Sequence, residues 1–326
     1  MNTITWGIIG CGDVTEVKSG PAFNKVPDSS LVAVMRRNAA KAQDYAHRHH
    51  VPVWYSDARL LINDPRVNAI YIATPPSSHE EYALAALAAG KPVYLEKPMS
   101  LDAKQARSID EAVNRHGGKL VVAHYRREQP IFKKIKQLLD EKAIGEVRLV
   151  RLDLFKPPLT EDELATPKTA WRVDHSIAGG GLFHDLAPHQ IDLLYYFFGD
   201  VARSSGIALN QGGQYATDDM VAGTISFKNG VLFSGAWSFN VAPDLERDQC
   251  EIIGSEGKIS FSVFDHQLLE ITRQGRTEVM AFEKLAHVQQ PMIERVVNYF
   301  LGKATNPCSA GDGVVVMELL DSFTAK

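Results

Sequence analysis

The sequence has few cysteines, little net charge and no long apolar run. Its 326 residues include only Cys11, Cys250 and Cys308. Three scattered cysteines are too few for a disulfide framework or a zinc-binding knuckle, so we expect a reduced, intracellular compartment. The formal net charge of −4 gives no general attraction to nucleic acid or to an anionic membrane surface.

The longest apolar stretch, 186–198, is also too short to cross a bilayer. It falls below the ~18 residues that a transmembrane helix needs, and it contains His189 and Asp192. The first residues lack the basic and apolar segments of a signal peptide. We therefore expect a soluble, cytoplasmic protein whose partners include neither nucleic acid nor a membrane.

The chain is long enough for two domains, and its patterning changes near residue 123. Before that point, short apolar runs alternate with helical stretches, which is typical of parallel strands joined by right-handed crossovers. From about residue 201 to 282, strands follow one another at hairpin spacing, which indicates a largely antiparallel sheet. The sequence therefore predicts an α/β fold: a doubly wound parallel sheet in residues 1–123, then an α+β domain in 124–326.

A glycine-rich turn follows the first predicted strand and reads Gly10-Cys11-Gly12-Asp13-Val14-Thr15. This matches a dinucleotide-binding turn, G-x-G-x-x-G/A, in its usual place between a strand and a helix. The first glycine permits the tight turn, and the second lets a pyrophosphate approach the backbone. The N-terminus of the helix then offers free N–H groups to the phosphates. Thr15 replaces the usual third glycine or alanine, so we expect slightly looser packing there.

The residues after the second predicted strand distinguish the two nicotinamide dinucleotides. An NAD site normally has Asp or Glu there, which accepts hydrogen bonds from the ribose hydroxyls. Here Arg36, Arg37 and Asn38 follow the strand, and no acid occurs between Asp28 and Asp44. Guanidinium groups suit the 2′-phosphate of NADP. The sequence therefore favours NADP(H) and leaves NAD(H) possible, although Arg37 could equally be a solvated surface residue.

Polar residues also follow the fourth and fifth predicted strands, as Thr74-Pro75 with His79 and as Glu96-Lys97-Pro98. In open α/β sheets, ligands bind at the carboxyl ends of the strands, so we expect these residues at the cofactor site. Lys97 could donate a hydrogen bond to a substrate oxygen and take part in acid–base chemistry. The alternative for an isolated lysine is a solvated surface charge.

An apolar helix predicted over Gly181–Phe198 contains several ionisable residues. Asp185 and His189 are four residues apart and therefore share one face of the helix, with Asp192 on the same side. Polar groups on such a helix need partners or a cavity, although His189 alone could be a satisfied core histidine. His184 projects about 100° away from its neighbour Asp185, so we predict no metal site.

Taken in order, these motifs resemble those of the glucose–fructose oxidoreductase/inositol dehydrogenase/MocA family. The resemblance covers essentially the whole chain. It implies a Rossmann domain, followed by a domain whose large, open-faced sheet often mediates homodimers or homotetramers. It also implies that Lys97 is the lysine of the Glu-Lys-Pro motif and that Asp185 and His189 are the acid–histidine pair. The same resemblance places Arg126 or Arg127, and Trp171-Arg172, near the cofactor.

These features predict reversible hydride transfer between NADP(H) and a hydroxyl or carbonyl carbon of a sugar, a polyol or a related small molecule. His189 would accept the hydroxyl proton, Asp185 would bind the substrate or steady His189, and Lys97 would stabilise the developing alkoxide. Similar proteins that act on aromatic dihydrodiols have tyrosine in place of this histidine, so His189 favours sugars and polyols. Two alternatives stay open: a nicotinamide-dependent glycoside hydrolase and a non-catalytic NADP-binding sensor.

Overall fold

The computed structural model describes residues 2–265 and 267–325, which form two compact units. The first unit consists of the chain up to Glu128 together with Leu285–Met317, and the second of Gln129–Lys284 with the residues from Glu318 onward. The sequence predicted a single boundary at residue 123, with everything after it in the second domain. No local pattern marks a segment as returning to the first unit, because the contacts that hold it there are distant in sequence.

The described residues form fourteen strands, named in chain order: β1 (Ile4–Ile9), β2 (Ser29–Met35), β3 (Val53–Tyr55), β4 (Ala69–Ile72), β5 (Val93–Leu95), β6 (Leu120–Val122), β7 (Val147–Phe155), β8 (Val201–Leu209), β9 (Met220–Phe227), β10 (Leu232–Ser238), β11 (Arg247–Gly254), β12 (Gly257–Phe261), β13 (Leu268–Arg273) and β14 (Arg276–Ala281). Its α-helices are α1 (Asp13–Val17), α2 (Ala39–Arg48), α3 (Ala58–Ile62), α4 (His79–Ala88), α5 (Ala103–His116), α6 (Pro130–Asp140), α7 (Glu161–Ala165), α8 (Pro167–Ala170), α9 (His175–Ala178), α10 (Gly181–Phe198), α11 (Gln290–Phe300) and α12 (Ala310–Thr324). Short 3₁₀ turns join several of them.

The first unit is built on a six-stranded parallel sheet with the order β3-β2-β1-β4-β5-β6. Its central strands are buried on both faces, as their continuous apolar runs predict. Because all six strands are parallel, their carboxyl ends lie along one edge of the sheet. The glycine loop, Arg36, Thr74 and Lys97 follow four of these ends. The predicted doubly wound Rossmann sheet is therefore confirmed.

The segment Leu285–Met317 packs into this first unit through specific hydrogen bonds. The backbone N–H of Val122, on the edge strand β6, donates to the carbonyl of Cys308 (3.0 Å). The ammonium of Lys119 donates to the carbonyls of Tyr299 (3.1 Å) and Phe300 (2.8 Å). These contacts satisfy part of an otherwise open sheet edge.

The second unit contains an eight-stranded sheet with the order β14-β13-β12-β11-β7-β10-β9-β8. Its strands pair antiparallel, except for the parallel pair β7 and β10. One face of the sheet is covered by helices: Trp237 on β10 is fully buried and contacts Phe183 of α10 and Phe323 of α12. The mostly antiparallel sheet of the predicted α+β domain is therefore also confirmed.

The other face of this sheet is open. Strand pairing puts Ser205, Thr224, Ser234, Arg151, Glu251, Ser260, Glu270 and Val279 in one row on that face. Three further apolar residues lie two positions along a strand from members of this row and therefore share its face: Ile207, Leu232 and Leu268. These three side chains and Val279 are each between 52% and 66% exposed. Within residues 2–265 and 267–325, no helix is both long and apolar enough to span a membrane.

Candidate active site

The candidate residues fall into two groups, one in each unit, and the first group begins at the glycine loop. Gly10 has φ +94°, and a Cβ at that position would lie 2.7 Å from Thr74 Cγ2 and 2.8 Å from Thr74 N. Gly10 therefore lets the loop after β1 approach the loop after β4. A Cβ on Gly12, in contrast, would meet Gly10 O at 3.9 Å as its nearest described neighbour beyond the adjacent residues. The backbone at Gly12 is thus open, and a dinucleotide pyrophosphate fits against it.

The helix that follows this loop is short. α1 covers only Asp13–Val17, and a 3₁₀ turn over Gly20–Asn24 follows it. Asp13 is exposed, and the carbonyl of Val14 accepts hydrogen bonds from Lys18 N (3.2 Å) and Ser19 Oγ (3.3 Å). The positive electrostatic potential at the N-terminus of α1 therefore comes from little more than one helical turn.

Thr15, which occupies the third position of the glycine motif, is fully buried. Its hydroxyl donates to Gly12 O (2.7 Å), and its carbonyl accepts a hydrogen bond from Tyr45 Oη on α2 (2.8 Å). Burial raises the pKa of the Tyr45 phenol, so the phenol keeps its proton and donates it at neutral pH. Thr15 therefore anchors the loop to α2.

Arg36 lies directly after β2 and contacts the glycine loop. Its Nη1 donates to the carbonyl of Cys11 (3.3 Å), and the side chain is half-buried. Burial raises the pKa of the Cys11 thiol to about 11, with Arg36 partly opposing the shift, so this cysteine contributes a carbonyl rather than a thiolate. Arg37 is exposed, and the Asn38 side chain caps α2 by accepting from Lys41 N (3.0 Å). Of these three predicted cofactor residues, Arg36 is the one that the structure places on the loop.

His79 is buried in the core of the first unit, between the loops after β4 and β5. Its Nδ1 lies 2.9 Å from the carbonyl of Pro98, and its Nε2 lies 2.7 Å from the carbonyl of Thr74. Burial lowers the pKa of His79 to about 4, so at neutral pH the ring carries one N–H and donates to one of these carbonyls. The sequence suggested a cofactor contact; the side chain instead joins two loops that the sequence predicted separately.

The Glu96 side chain also points into the core. Its Oε1 accepts hydrogen bonds from Tyr71 Oη (2.5 Å) and Gln289 Nε2 (2.6 Å), and its Oε2 accepts from the backbone N–H of Lys97 (3.2 Å). Lys97 itself is half-buried, and its peptide bond to Pro98 is cis. Sequence reasoning missed both Tyr71 and Gln289. Tyr71 belongs to a buried strand, and Gln289 is 193 residues from Glu96, so neither carries a local signal.

Arg126 and Arg127, which the resemblance placed near the cofactor, are both buried. Arg127 Nη1 donates to the carbonyl of Pro307 (3.2 Å) and lies 3.4 Å from the Asp312 carboxylate. The Arg126 guanidinium lies over the Tyr125 ring, 5.5 Å from its centroid. Arg127 thus ties the end of the parallel-sheet region to the segment that returns to the first unit.

The second group lies on and beside α10, in the second unit. The helix covers Gly181–Phe198, as predicted, and His189 is buried with its ring edge-to-face against Phe264 (centroids 5.7 Å apart). Asp185 is half-buried, and its Oδ2 accepts a hydrogen bond from Arg172 Nε (3.0 Å). Arg172 stacks over the Trp171 ring at 4.9 Å. Asp185, the acid of the predicted acid–histidine pair, is therefore paired with Arg172, which the family resemblance had placed near the cofactor.

His184 and Asp192 on the same helix are also buried. Burial lowers the pKa of His184 to about 4, so this ring is neutral at physiological pH. Within the part of the chain that the structure describes, no group of three or more His, Cys, Asp or Glu residues is placed to hold a metal ion.

Comparison with known proteins identifies the family. The model of the GFO/IDH/MocA oxidoreductase family, an NAD-binding Rossmann fold, matches residues 4–124, and the GFO/IDH/MocA C-terminal domain matches 132–260. An oxidoreductase named P35 from Formosa agariphila is 48% identical over 98% of this chain and 98% of its own length. The chain belongs to the GFO/IDH/MocA family of oxidoreductases. The predicted family and the predicted enzyme class, an NAD(P)-dependent oxidoreductase, are therefore confirmed.

A further relative and a solved structure both carry the name levoglucosan dehydrogenase. A levoglucosan dehydrogenase from Pseudarthrobacter phenanthrenivorans is 30% identical over 80% of this chain and 74% of its own length. A solved structure of levoglucosan dehydrogenase in complex with NADH and levoglucosan superposes with a TM-score of 0.85 at 23% identity, covering 98% of this chain and 96% of the other. At that identity the superposition establishes the shared fold.

Proposed function

We propose that this oxidoreductase is an NADP(H)-preferring dehydrogenase of a sugar, a polyol or a related small molecule. The observation that carries the proposal is the half-buried Asp185, paired with Arg172 one helical turn before the buried His189 on α10. Burying ionisable groups costs stability unless they are paired, and such groups cluster at functional sites. The relationship to a levoglucosan dehydrogenase supports a hydroxylated substrate.

The coenzyme preference rests on Arg36. Its guanidinium contacts the glycine loop through Cys11 O, and five N–H donors allow it to bind a 2′-phosphate as well. Asp28, at the start of β2, is paired with Lys303 (2.7 Å), and Asp44 on α2 is paired with Arg48 (2.8 Å). The two acids that flank this strand in sequence are therefore engaged elsewhere. When bound, the nicotinamide supplies the hydride chemistry.

The proton chemistry is assigned to three side chains of this protein. In the oxidising direction, an imidazole nitrogen of His189 accepts the proton of the substrate hydroxyl. The hydride leaves the carbon that bears this hydroxyl. Asp185, kept next to the Arg172 cation, accepts a hydrogen bond from the substrate or from His189. Lys97 donates to the oxygen as it becomes an alkoxide. The reverse reaction uses the same groups with the proton returned to the oxygen.

We also propose that the open face of the second unit's sheet mediates a homodimer or homotetramer. Ile207, Leu232, Leu268 and Val279 leave apolar surface exposed on one side of the sheet. The family resemblance implies that this face mediates oligomers, and such an interface would cover these side chains.

The experiment that tests the proposed function is a panel of sugars and polyols assayed at 340 nm with NADP and NAD in parallel. We expect stoichiometric NADPH formation with at least one member of the panel and a lower KM for NADP than for NAD. Turnover of a glycoside without net coenzyme reduction would establish the glycoside hydrolase instead. Tight NADPH binding with no turnover of any compound would indicate the sensor.

A further inference from the structure

We propose that Tyr71 and Gln289 are positioning residues for Lys97, and that they act through the buried carboxylate of Glu96. The inference rests on the proposed role of Lys97 in catalysis and adds the structure that holds this lysine in place. Tyr71, Glu96, Lys97 and Gln289 all lie in the first unit.

The Glu96 carboxylate is well satisfied by hydrogen bonds although it is buried. Tyr71 Oη and Gln289 Nε2 both donate to Oε1, at 2.5 and 2.6 Å, and the Lys97 N–H donates to Oε2 at 3.2 Å. A buried charge is tolerated when several donors replace its hydration, so the three bonds together determine where this side chain can lie. Because Lys97 follows Glu96 directly, a fixed Glu96 also fixes the start of the Lys97 backbone.

Both side-chain donors are themselves held in place. Tyr71 Oη lies 3.1 Å from Ser19 Oγ, and burial raises the pKa of this phenol far above its usual value, so it stays protonated. Gln289 Oε1 accepts from Tyr94 Oη (3.0 Å), and Gln289 N donates to the carbonyl of Lys18 (3.2 Å). Neither donor can therefore swing away without breaking a second contact.

The far side of Lys97 is held independently. The carbonyl of Pro98 lies 2.9 Å from His79 Nδ1, and the opposite side of that ring faces the carbonyl of Thr74. The lysine therefore stands between Glu96, which is held by hydrogen bonds, and Pro98, which is buried against the His79 ring. A displacement of about 1 Å in a catalytic group can cost a hundredfold in rate, which gives such anchoring a direct effect on turnover.

The first test measures the loop without requiring a substrate. Hydrogen exchange at the Lys97 amide is compared in wild type, Tyr71→Phe, Gln289→Met and Tyr45→Phe. Tyr45→Phe is the matched control, because Tyr45 is also fully buried in the first unit but donates to the carbonyl of Thr15 and not to Glu96 or Gln289. We expect about tenfold faster exchange in Tyr71→Phe and Gln289→Met, and a change below about twofold in Tyr45→Phe.

The second test is a double-mutant cycle between Tyr71→Phe and Lys97→Ala, measured as kcat and as coenzyme Kd on the substrate that the panel identifies. If Tyr71 acts through Lys97, Tyr71→Phe lowers kcat about tenfold in the wild-type background and has almost no further effect in the Lys97→Ala background. Coenzyme Kd should change by less than about twofold, and thermal unfolding reports whether each variant is folded.

The possible results separate this inference from the proposed function. Equal exchange rates in Tyr71→Phe and Tyr45→Phe, or equal losses of kcat in both backgrounds, would overturn the positioning role while leaving the dehydrogenase intact. Wild-type turnover in Lys97→Ala would overturn the proposed role of the lysine and, with it, any positioning effect on catalysis. Faster exchange only in Tyr71→Phe and Gln289→Met, with a non-additive cycle, supports the inference.

Discussion

Several side chains at the candidate site have partners that alter their role. Arg172 gives Asp185 a cationic neighbour at 3.0 Å, and Arg36 contacts the carbonyl of Cys11 at 3.3 Å. His79 is a core residue that joins two loops rather than a residue on the surface of the sheet edge. The chemistry of each residue type was predictable from the sequence. The partners were not, because they lie between 5 and 25 residues away along the chain and no periodicity records such contacts.

Replacing Arg36 with alanine tests the coenzyme preference. We expect KM for NADP to rise about tenfold or more, since a charge-assisted contact with a phosphate is removed, and KM for NAD to change by less than about threefold. Steady-state kinetics with both coenzymes measure this. Arg59→Ala, which removes an exposed arginine from α3, is the control and should affect neither constant. A parallel rise in both KM values would contradict a specific role in 2′-phosphate binding.

The burial of His184 predicts how stability depends on pH. Its pKa falls from 6.5 in the unfolded chain to about 4 in the folded protein. The unfolded state therefore binds more protons between these values, so stability is fully present above pH 6.5 and is lost as the pH falls toward 4. We expect this residue to lower the free energy of unfolding by about 2 kcal/mol between pH 7 and pH 5.

Urea unfolding at these two pH values provides the measurement. His184→Leu should reduce the measured difference by about 2 kcal/mol and leave the contribution of the equally buried His79, whereas His47→Leu, which replaces an exposed histidine on α2, should change nothing. An unchanged pH dependence in His184→Leu would show that the histidine is not buried in its neutral form.

At the scale of elements, the bounds of α10 agree with the sequence because strong apolar patterning and flanking glycines mark its ends. α1 and β3 have weaker signals in the sequence. α1 ends after five residues, and the three-residue β3 is an edge strand with Trp54 exposed, too short to leave an alternating pattern. The glycine motif predicted the position of the turn, whereas the close approach of Gly10 to Thr74 became visible only in the structure.

The two glycines of this turn should respond differently to alanine. Gly10→Ala forces a Cβ against Thr74 at a positive φ, so we expect a loss of more than about 2 kcal/mol of stability. Gly12→Ala has room for its methyl group and an extended backbone, so stability should change by less than about 1 kcal/mol while coenzyme Kd rises about tenfold or more. Thermal unfolding and NADPH fluorescence titration measure the two effects. Unchanged coenzyme affinity in Gly12→Ala would contradict the placement of the pyrophosphate.

At the scale of the whole molecule, the order of motifs predicted the family and both sheets. It did not predict that the first unit takes up Leu285–Met317. The segment contains α11, and an amphipathic helix does not specify which sheet it packs against. The same limit applies to the open sheet face, whose exposed apolar residues became visible only once strand pairing was known.

The proposed oligomer depends on that open face. We expect Ile207→Lys to shift the protein from dimer or tetramer toward monomer, because a charge is placed within buried apolar surface. Light scattering coupled to size-exclusion chromatography measures the mass. Leu60→Lys is the control, since Leu60 is similarly exposed (58% against 66%) but lies on α3, outside this sheet. A monomeric wild type, or an unchanged mass in Ile207→Lys, would contradict the proposal.

The most direct test of the proposed function compares NADPH formation at 340 nm by wild type, His189→Ala and Lys97→Ala on the best sugar or polyol. The account predicts that wild type reduces NADP stoichiometrically and that each variant loses at least about a hundredfold in kcat, because general acid–base catalysis and alkoxide stabilisation each contribute that much. Coenzyme Kd near the wild-type value would show that the variants still bind NADP. Near-wild-type turnover in both variants would contradict the proposed roles of His189 and Lys97.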